Sequence, residues 1–118
     1  MQDMVVKVIP GICGFDCSVK AERSGKRSAR ITITESDCAM IQKLSDLLFE
    51  ITLQDLFVPL TKNLIFMAAE QAGCHLACPV PVAVVKASEV ALELAVPKDA
   101  AICFFKTGAL RHGVKDDQ

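Results

Sequence analysis

Several features that define common functional classes are missing from this chain of 118 residues. Tyrosine and tryptophan are absent, so the chain lacks most of the aromatic side chains on which single-stranded nucleic acid stacks. The formal net charge of −1 argues against a polyanion as the main partner. No Ser–His–acid order, phosphate-cradling glycine loop or pair of catalytic carboxylates stands out. The sequence therefore gives no positive sign of hydrolysis, nucleotide binding or nucleic-acid binding.

Segments that would direct the chain into a membrane are missing as well. No apolar run approaches the ~20 residues that a membrane-spanning helix needs. The first four residues, Met1-Gln2-Asp3-Met4, lack the basic and apolar regions of a signal peptide. We therefore predict a cytoplasmic protein without a membrane partner.

Length and composition are typical of a single globular domain. Hydrophobic residues make up 52% of the chain, which is enough to build a core. We expect one domain over residues 1–118, with an ordered core over about 4–106 and a C-terminal tail over 107–118.

The most informative residues that are present are six cysteines. In a small secreted protein they would indicate a disulfide framework, but a cytosolic compartment keeps thiols reduced. Metal binding, redox chemistry or sulfur transfer is then favoured, and a buried inert thiol remains the alternative for any single cysteine. The six residues are Cys13, Cys17, Cys38, Cys74, Cys78 and Cys103.

Alternation of apolar and polar residues predicts strands at both ends of the chain. A run rich in β-branched residues at 4–9 favours a first strand. Two alternating runs, Cys17–Arg23 and 29–34, flank a turn that contains Gly25 and predict an antiparallel hairpin. The apolar run at 100–105 predicts a last strand, with Cys103 in the core.

Helical spacing of apolar residues predicts three helices between these strands. Ser36 or Asp37 is expected to cap the first helix, whose apolar stripe extends to Ile51. The second is expected from about Leu60 to Ala72, with Gly73 as its stop, and the third over about 79–95. The order β-β-β-α-α-α-β predicts an α+β fold, in which about three helices pack on one face of a small, mostly antiparallel sheet.

Two cysteines fall at predicted helix starts. Cys78 precedes Pro79, which is tolerated in a first helical turn, and Cys38 lies in the first turn of the first helix. The free N–H groups and the positive end of the helix dipole favour an anion at such positions. For a cysteine the anion is the thiolate, which binds metals and attacks sulfur.

A third cysteine is placed where it can join these two. Cys13 lies in the loop before the hairpin, and strand ends and helix starts on one edge of a sheet can converge. Three thiolates plus one nitrogen, oxygen or fourth sulfur make a tetrahedral site suited to zinc, and iron–sulfur clusters take the same thiolates. Candidates for the remaining ligand are Cys74, His75 and Asp16.

The segments around these cysteines resemble the U-type iron–sulfur cluster scaffold proteins (IscU and the N-terminal domain of NifU). The resemblance covers Ile12-Cys13-Gly14-Phe15-Asp16 before the hairpin, Asp37-Cys38-Ala39 at a helix start, and the segment from His75 to Cys78. It implies that Cys13, Cys38 and Cys78 hold zinc or a nascent cluster, with Asp16 and His75 nearby. It further implies a scaffold or carrier rather than a turnover enzyme, with a cysteine desulfurase or an acceptor protein as partner. The oligomeric state stays open, and a homodimer is one option.

A shorter resemblance supports an alternative function. Cys78-Pro79-Val80-Pro81, followed by Lys86, is similar to the Cys-Pro-x-Pro helix start of TusA/SirA-type sulfur carriers. That resemblance implies a persulfide carried on Cys78 alone. A third hypothesis is a non-catalytic protein-interaction domain whose cysteines are buried and structural.

Overall fold

A computed structural model describes residues 3–108. Within that range the chain forms four strands, three α-helices and two short 3-10 helices. The strands are β1 (Met4–Val8), β2 (Cys17–Gly25), β3 (Ser28–Thr34) and β4 (Glu50–Thr52). The α-helices are α1 (Ala39–Leu47), α2 (Leu64–Ala72) and α3 (Val80–Ala91), and the 3-10 helices are Gln54–Phe57 and Leu60–Lys62.

The four strands form one antiparallel sheet in the order β1-β2-β3-β4. The register places Val8 opposite Cys17 and Val19 opposite Ile33. Cys17, Val19 and Ala21 are buried on one face of β2, and the residues between them are not. The alternation therefore confirms the predicted hairpin and shows which of its faces meets the core.

The helices pack on the buried face of this sheet, which confirms the predicted α+β class. α3 lies against β1 and β2, α1 lies against β3, and α2 packs on both of these helices. Leu44, Ile65 and Val84 bring one fully buried side chain from each helix into the core. Burial of such side chains contributes roughly 1.5–3 kcal/mol each.

The fourth strand differs from the one that the sequence predicts. Residues 100–105 are irregular, and the side chains of Ile102 and Phe104 are 88% and 89% exposed. The strand β4 lies instead between α1 and α2, where Ile51 pairs with Ala29 and is fully buried. An apolar run becomes a strand only when a sheet edge pairs with it, and β3 pairs with the short β4.

Three helix boundaries also differ from the predicted ones. The N-cap of α1 is Cys38 itself, and Ser36 contributes by accepting the backbone N–H of Cys38 at 3.2 Å. α2 begins four residues later than expected because Asn63 caps it, after the 3-10 turn Leu60–Lys62. α3 ends at Ala91 rather than near residue 95, since Glu93 has a positive φ of 65°.

None of the helices in residues 3–108 is long and apolar enough to cross a membrane. The predicted tail at 107–118 lies outside the described residues except for 107 and 108.

Candidate thiol site

Two of the cysteines enter the site from the connection between β1 and β2. Cys13 lies in this loop, next to a turn in which the N–H of Gly14 donates to the carbonyl of Gly11 at 3.0 Å. Cys17 begins β2 opposite the buried Val8 and is itself only 1% exposed. The start of the hairpin thus carries one half-buried thiol and one fully buried thiol.

Cys38 enters the site from the end of the same sheet, after β3. As the N-cap of α1 it has an extended backbone, and its own N–H is held by the Ser36 hydroxyl. Its side chain is half-buried and packs against the core. The structure therefore confirms that Cys38 lies at the start of this helix, as its N-cap.

Cys74 and Cys78 flank the connection between α2 and α3. Gly73 ends α2 in the left-handed conformation with φ 82°, as the sequence predicts. Cys74 follows it, and Cys78 precedes Pro79, the N-cap of α3. Both cysteines are half-buried and pack against the core.

The structure brings five thiols to one end of the sheet. Cys78 is within electrostatic range of Cys13, Cys38 and Cys74. Cys17 interacts electrostatically with Cys13, Cys38 and Cys78. Segments that are distant along the chain, namely the β1–β2 loop and the starts of α1 and α3, therefore place their sulfur atoms in one neighbourhood.

Burial is the main influence on the acidity of these thiols. It raises the pKa of Cys17 and of Cys74 to about 11, and neighbouring thiols act in the same direction. It also raises the pKa of Cys78, against a backbone hydrogen bond from Val80 that lowers it. The expected preference for a thiolate at Cys78 is therefore wrong for the metal-free protein, because burial outweighs the helix start.

The donor set suits a thiophilic metal, but the thiols are not arranged around a common centre. As the side chains lie, no three His, Cys, Asp or Glu residues within residues 3–108 are grouped closely enough to hold a metal ion. Thiolates are preferred ligands of zinc and of iron–sulfur clusters. A bound metal therefore requires the thiols to move closer together than they are in this structure.

The other predicted ligands lie at the margin of this cluster. Asp16 and His75 are both exposed. The carbonyl of His75 accepts the N–H of Cys78 at 3.1 Å, which gives this residue a role in the turn. Cys74, in contrast, is half-buried and lies within electrostatic range of Cys78.

Cys103 is not the core residue that its apolar neighbours predict. It is exposed and belongs to the irregular segment after α3. The apolar run around it is equally compatible with a buried strand and with an irregular segment that pairs with no strand. Sequence reasoning also missed the influence of the Val80 backbone N–H, which acts to lower the pKa of Cys78. The signal for it was the pair of prolines, because Val80 is the one residue of Pro79-Val80-Pro81 with an N–H to donate.

Exposed apolar side chains lie close in sequence to three of the thiols. Ile12 and Leu76 are fully exposed, and Phe15 is 43% exposed. They lie in the same two connections that carry Cys13, Cys74 and Cys78.

Comparison with known proteins adds membership of a family. The chain belongs to a family of unknown function, DUF6951, whose model matches residues 4–104. This range includes all six cysteines. No curated protein and no solved structure matches the chain.

Proposed function

We propose that this protein binds a thiophilic metal, zinc or an iron–sulfur cluster, and acts as a scaffold or carrier for it. The observation that carries the proposal is the position of Cys78, within electrostatic range of both Cys13 and Cys38. These three thiols come from three segments that are far apart along the chain. Three cysteines at helix starts and a loop supply the thiolates that such centres need.

The fourth ligand that we favour is Cys74. Its thiol is half-buried against the core and lies within electrostatic range of Cys78 and Cys38. Asp16 and His75 are exposed, whereas Cys74 is half-buried. Cys17 is the fifth thiol, and its nearly complete burial in the core supports a packing role.

The raised pKa values of Cys74 and Cys78 imply that metal binding releases protons. Without a metal these thiols stay protonated at neutral pH. A metal replaces those protons by its own positive charge, so binding releases protons and stabilises the folded state. Calorimetry of zinc binding in two buffers of different ionisation enthalpy measures this release.

A scaffold role implies two kinds of partner protein. Building a cluster requires a sulfur donor, such as a cysteine desulfurase, and delivery requires an acceptor protein. The exposed Ile12, Phe15 and Leu76 beside the thiols offer an apolar surface for such contacts. We place these encounters in the cytoplasm, where thiols stay reduced.

The test is metal and acid-labile sulfide analysis of anaerobically purified protein. We expect stoichiometric zinc, or iron together with sulfide, and we expect each of Cys13→Ser, Cys38→Ser and Cys78→Ser to remove most of it. The matched control is Cys103→Ser, because Cys103 is exposed and lies in the irregular segment after α3. Metal-free wild type that also fails to bind added zinc or reconstituted cluster would contradict the proposal.

A second candidate function, a persulfide carrier, is favoured by the surroundings of one thiol. The backbone N–H of Val80 acts to lower the pKa of Cys78, whose sulfur would hold the extra sulfur atom. In this case Cys78 accepts sulfur from a low-molecular-weight persulfide, and Cys13→Ser and Cys38→Ser accept it equally well. Intact-protein mass spectrometry separates the two functions. Neither metal nor persulfide on any variant would leave the third hypothesis, an interaction domain with inert thiols.

A further inference from the structure

The chain leaves the end of α3 in a fixed direction. The N–H of Leu94 donates to the carbonyl of Glu89 at 2.8 Å, and Glu93 between them has a positive φ of 65°. This is the Schellman pattern, which ends a helix and turns the chain away from its axis. Arg23 of β2 donates to the carbonyl of Ala91 at 3.3 Å and pairs with the Glu93 carboxylate at 3.4 Å. The helix end is therefore fastened to the sheet at the point where the chain departs.

The segment that follows, residues 94–105, is an exposed apolar segment that we call the arm. All of its residues are exposed, and Val96, Ile102 and Phe104 are exposed by 76%, 88% and 89%. Within the part of the chain that the structure describes, no backbone hydrogen bond joins residues 95–104 to another element. Pro97 restricts Val96 to an extended backbone, which keeps the arm from continuing as a helix. An exposed apolar run of this kind indicates an interaction surface.

A groove on the helical side of the protein offers room for apolar side chains. It has a volume of about 320 Å³ and lies between the two 3-10 turns, α2 and α3. Its apolar lining consists of Leu56, Val58, Leu60, Phe66, Val82 and Val85. The one polar side chain in the lining is Asn63, whose amide is already bonded to the backbone of Asp55, Val58 and Ile65. The groove is therefore suited to apolar side chains rather than to a polar ligand.

The arm does not lie in the groove of its own chain. Side chains seated there would be largely covered, whereas Ile102 and Phe104 are almost fully exposed. The end of α3 and Pro97 both favour this outward course. Twelve extended residues span at most about 40 Å, so the arm is long enough to reach across the surface of a neighbouring molecule.

The size of the contact favours a second copy of this chain as the neighbour. A stable interface takes about 20–30 residues from each side, and one arm in one groove provides fewer than this. In a reciprocal exchange each copy contributes both its arm and its groove, which brings about 20 residues from each protomer into the interface. The exchange closes as a two-fold dimer and covers both apolar surfaces at once.

We infer that this chain forms a homodimer by reciprocal exchange, in which the arm of each protomer lies in the groove of its partner. Residues two apart in an extended segment point to the same side, so Ile102 and Phe104 enter the groove together. None of the five clustered thiols belongs to the arm or lines the groove. The dimer therefore stands or falls independently of the proposed metal site.

The test is sedimentation of the full chain over a range of concentrations, with a thiol reductant and a chelator present. We expect wild type to associate to twice the mass of the chain. Phe104→Asp in the arm and Val82→Asp in the groove are each expected to raise the dissociation constant by roughly 30-fold or more, because each change acts twice in a symmetric dimer. The matched control is Val5→Asp, which places the same charge at an exposed valine of β1, and it is expected to leave the dissociation constant unchanged.

Both test substitutions are expected to leave the fold intact, and circular dichroism checks this. Val82 lies in the first turn of α3, where the helix dipole favours a carboxylate, and Phe104 lies in the exposed arm. Below the dissociation constant the chain is a monomer with its arm exposed. Substitutions in the arm, Ile102→Ala among them, then leave the free energy of unfolding of the single chain nearly unchanged.

Two results would overturn the inference. One is a dimer that survives both Phe104→Asp and Val82→Asp, because such a dimer uses another surface. The other is a wild type that stays monomeric at every concentration. Alkylation of Cys103, which is exposed in the single chain, then shows where the arm lies. Slow alkylation in a monomer places the arm in its own groove, whereas alkylation that is slow in the wild-type dimer and fast in Phe104→Asp supports the exchange.

Discussion

Asn63 is a polar side chain buried between the 3-10 turns and α2. Its Oδ1 accepts the N–H of Ile65 at 3.0 Å, and its Nδ2 donates to the carbonyls of Asp55 and Val58 at 2.7 and 3.1 Å. We predict that Asn63→Ala lowers the free energy of unfolding by about 2 kcal/mol, because it removes a helix cap and leaves buried carbonyls without a donor. Urea denaturation measures the loss.

Asn63→Ser separates the two contributions. A serine hydroxyl can still cap α2, but it cannot reach both carbonyls as the amide does. We therefore expect its stability to lie between those of wild type and Asn63→Ala. Equal loss in both variants would show that the cap contributes nothing measurable.

The buried thiol of Cys17 makes stability depend on alkaline pH. Burial raises its pKa in the folded state to about 11, while the exposed thiol of the unfolded chain ionises near its ordinary value of 9.0. Above pH 9 the unfolded chain therefore binds fewer protons than the folded chain, so the free energy of unfolding falls until about pH 11. Cys74 contributes in the same direction.

The check is the urea midpoint of the reduced, metal-free chain, measured below pH 9 and near pH 11. Cys17→Ala cannot ionise at this position and is expected to lose less stability over the same interval. A fall of unchanged size in Cys17→Ala would assign the effect to other groups.

The positions of single cysteines were predictable where local structure determines them. Cys38 and Cys78 lie at helix starts because caps and prolines mark those starts in the sequence. Cys17 is buried because it shares the alternation of Val19. The acidity of Cys78 was not predictable, since it depends on how deeply the folded chain buries the sulfur.

At the scale of elements, the end of α2 depends on the conformation of one glycine. Gly73 has φ 82°, and the nearest side-chain atom to an added Cβ is the Cγ of Met40 at 4.0 Å. Space is therefore available and conformation is the constraint. We predict that Gly73→Ala lowers the free energy of unfolding by about 1 kcal/mol, measured by urea denaturation.

Gly73→Asn is the matched variant, because asparagine tolerates the left-handed conformation better than alanine does. We expect it to retain more of the stability and to leave the Cys74–Cys78 turn unchanged. If alanine and asparagine proved equally costly, the loss would have to come from a contact and not from the backbone conformation.

Patterns of alternation and spacing predict strands and helices well when one face of the element is buried. They predict strands poorly when the formation of the strand depends on pairing with a particular sheet edge. The hairpin from Cys17 to Thr34 is confirmed on this basis. β4 was missed because three residues are too few to show a period, and Ile51 also fits the preceding helical stripe. The strand predicted at 100–105 is wrong because apolar composition does not specify a partner edge.

At the scale of the whole molecule, the core and the segment after α3 are expected to contribute very differently to the free energy of unfolding. Ile65 is fully buried in the core, whereas Ile102 is 88% exposed. We predict that Ile65→Ala lowers the free energy of unfolding by about 2–5 kcal/mol and that Ile102→Ala changes it by less than about 0.5 kcal/mol. Thermal and urea denaturation of both variants checks the contrast.

A large loss in Ile102→Ala would contradict the irregular, exposed conformation of this segment. Since the two substitutions remove the same atoms, the difference between them isolates burial. The α+β class was predictable because it depends on the count and type of elements, whereas the meeting of five thiols depends on how those elements pack.

The distance along the chain between the thiols also affects how the protein is made. Cys13, Cys17 and Cys38 leave the ribosome before Cys74 and Cys78 are synthesised, and N-terminal segments begin to fold first. For that interval the early thiols have no partners from the later helices and are open to wrong cross-links. The yield of correctly folded protein will therefore depend on a reducing environment during synthesis, and refolding yields in air will fall below those obtained with a thiol reductant.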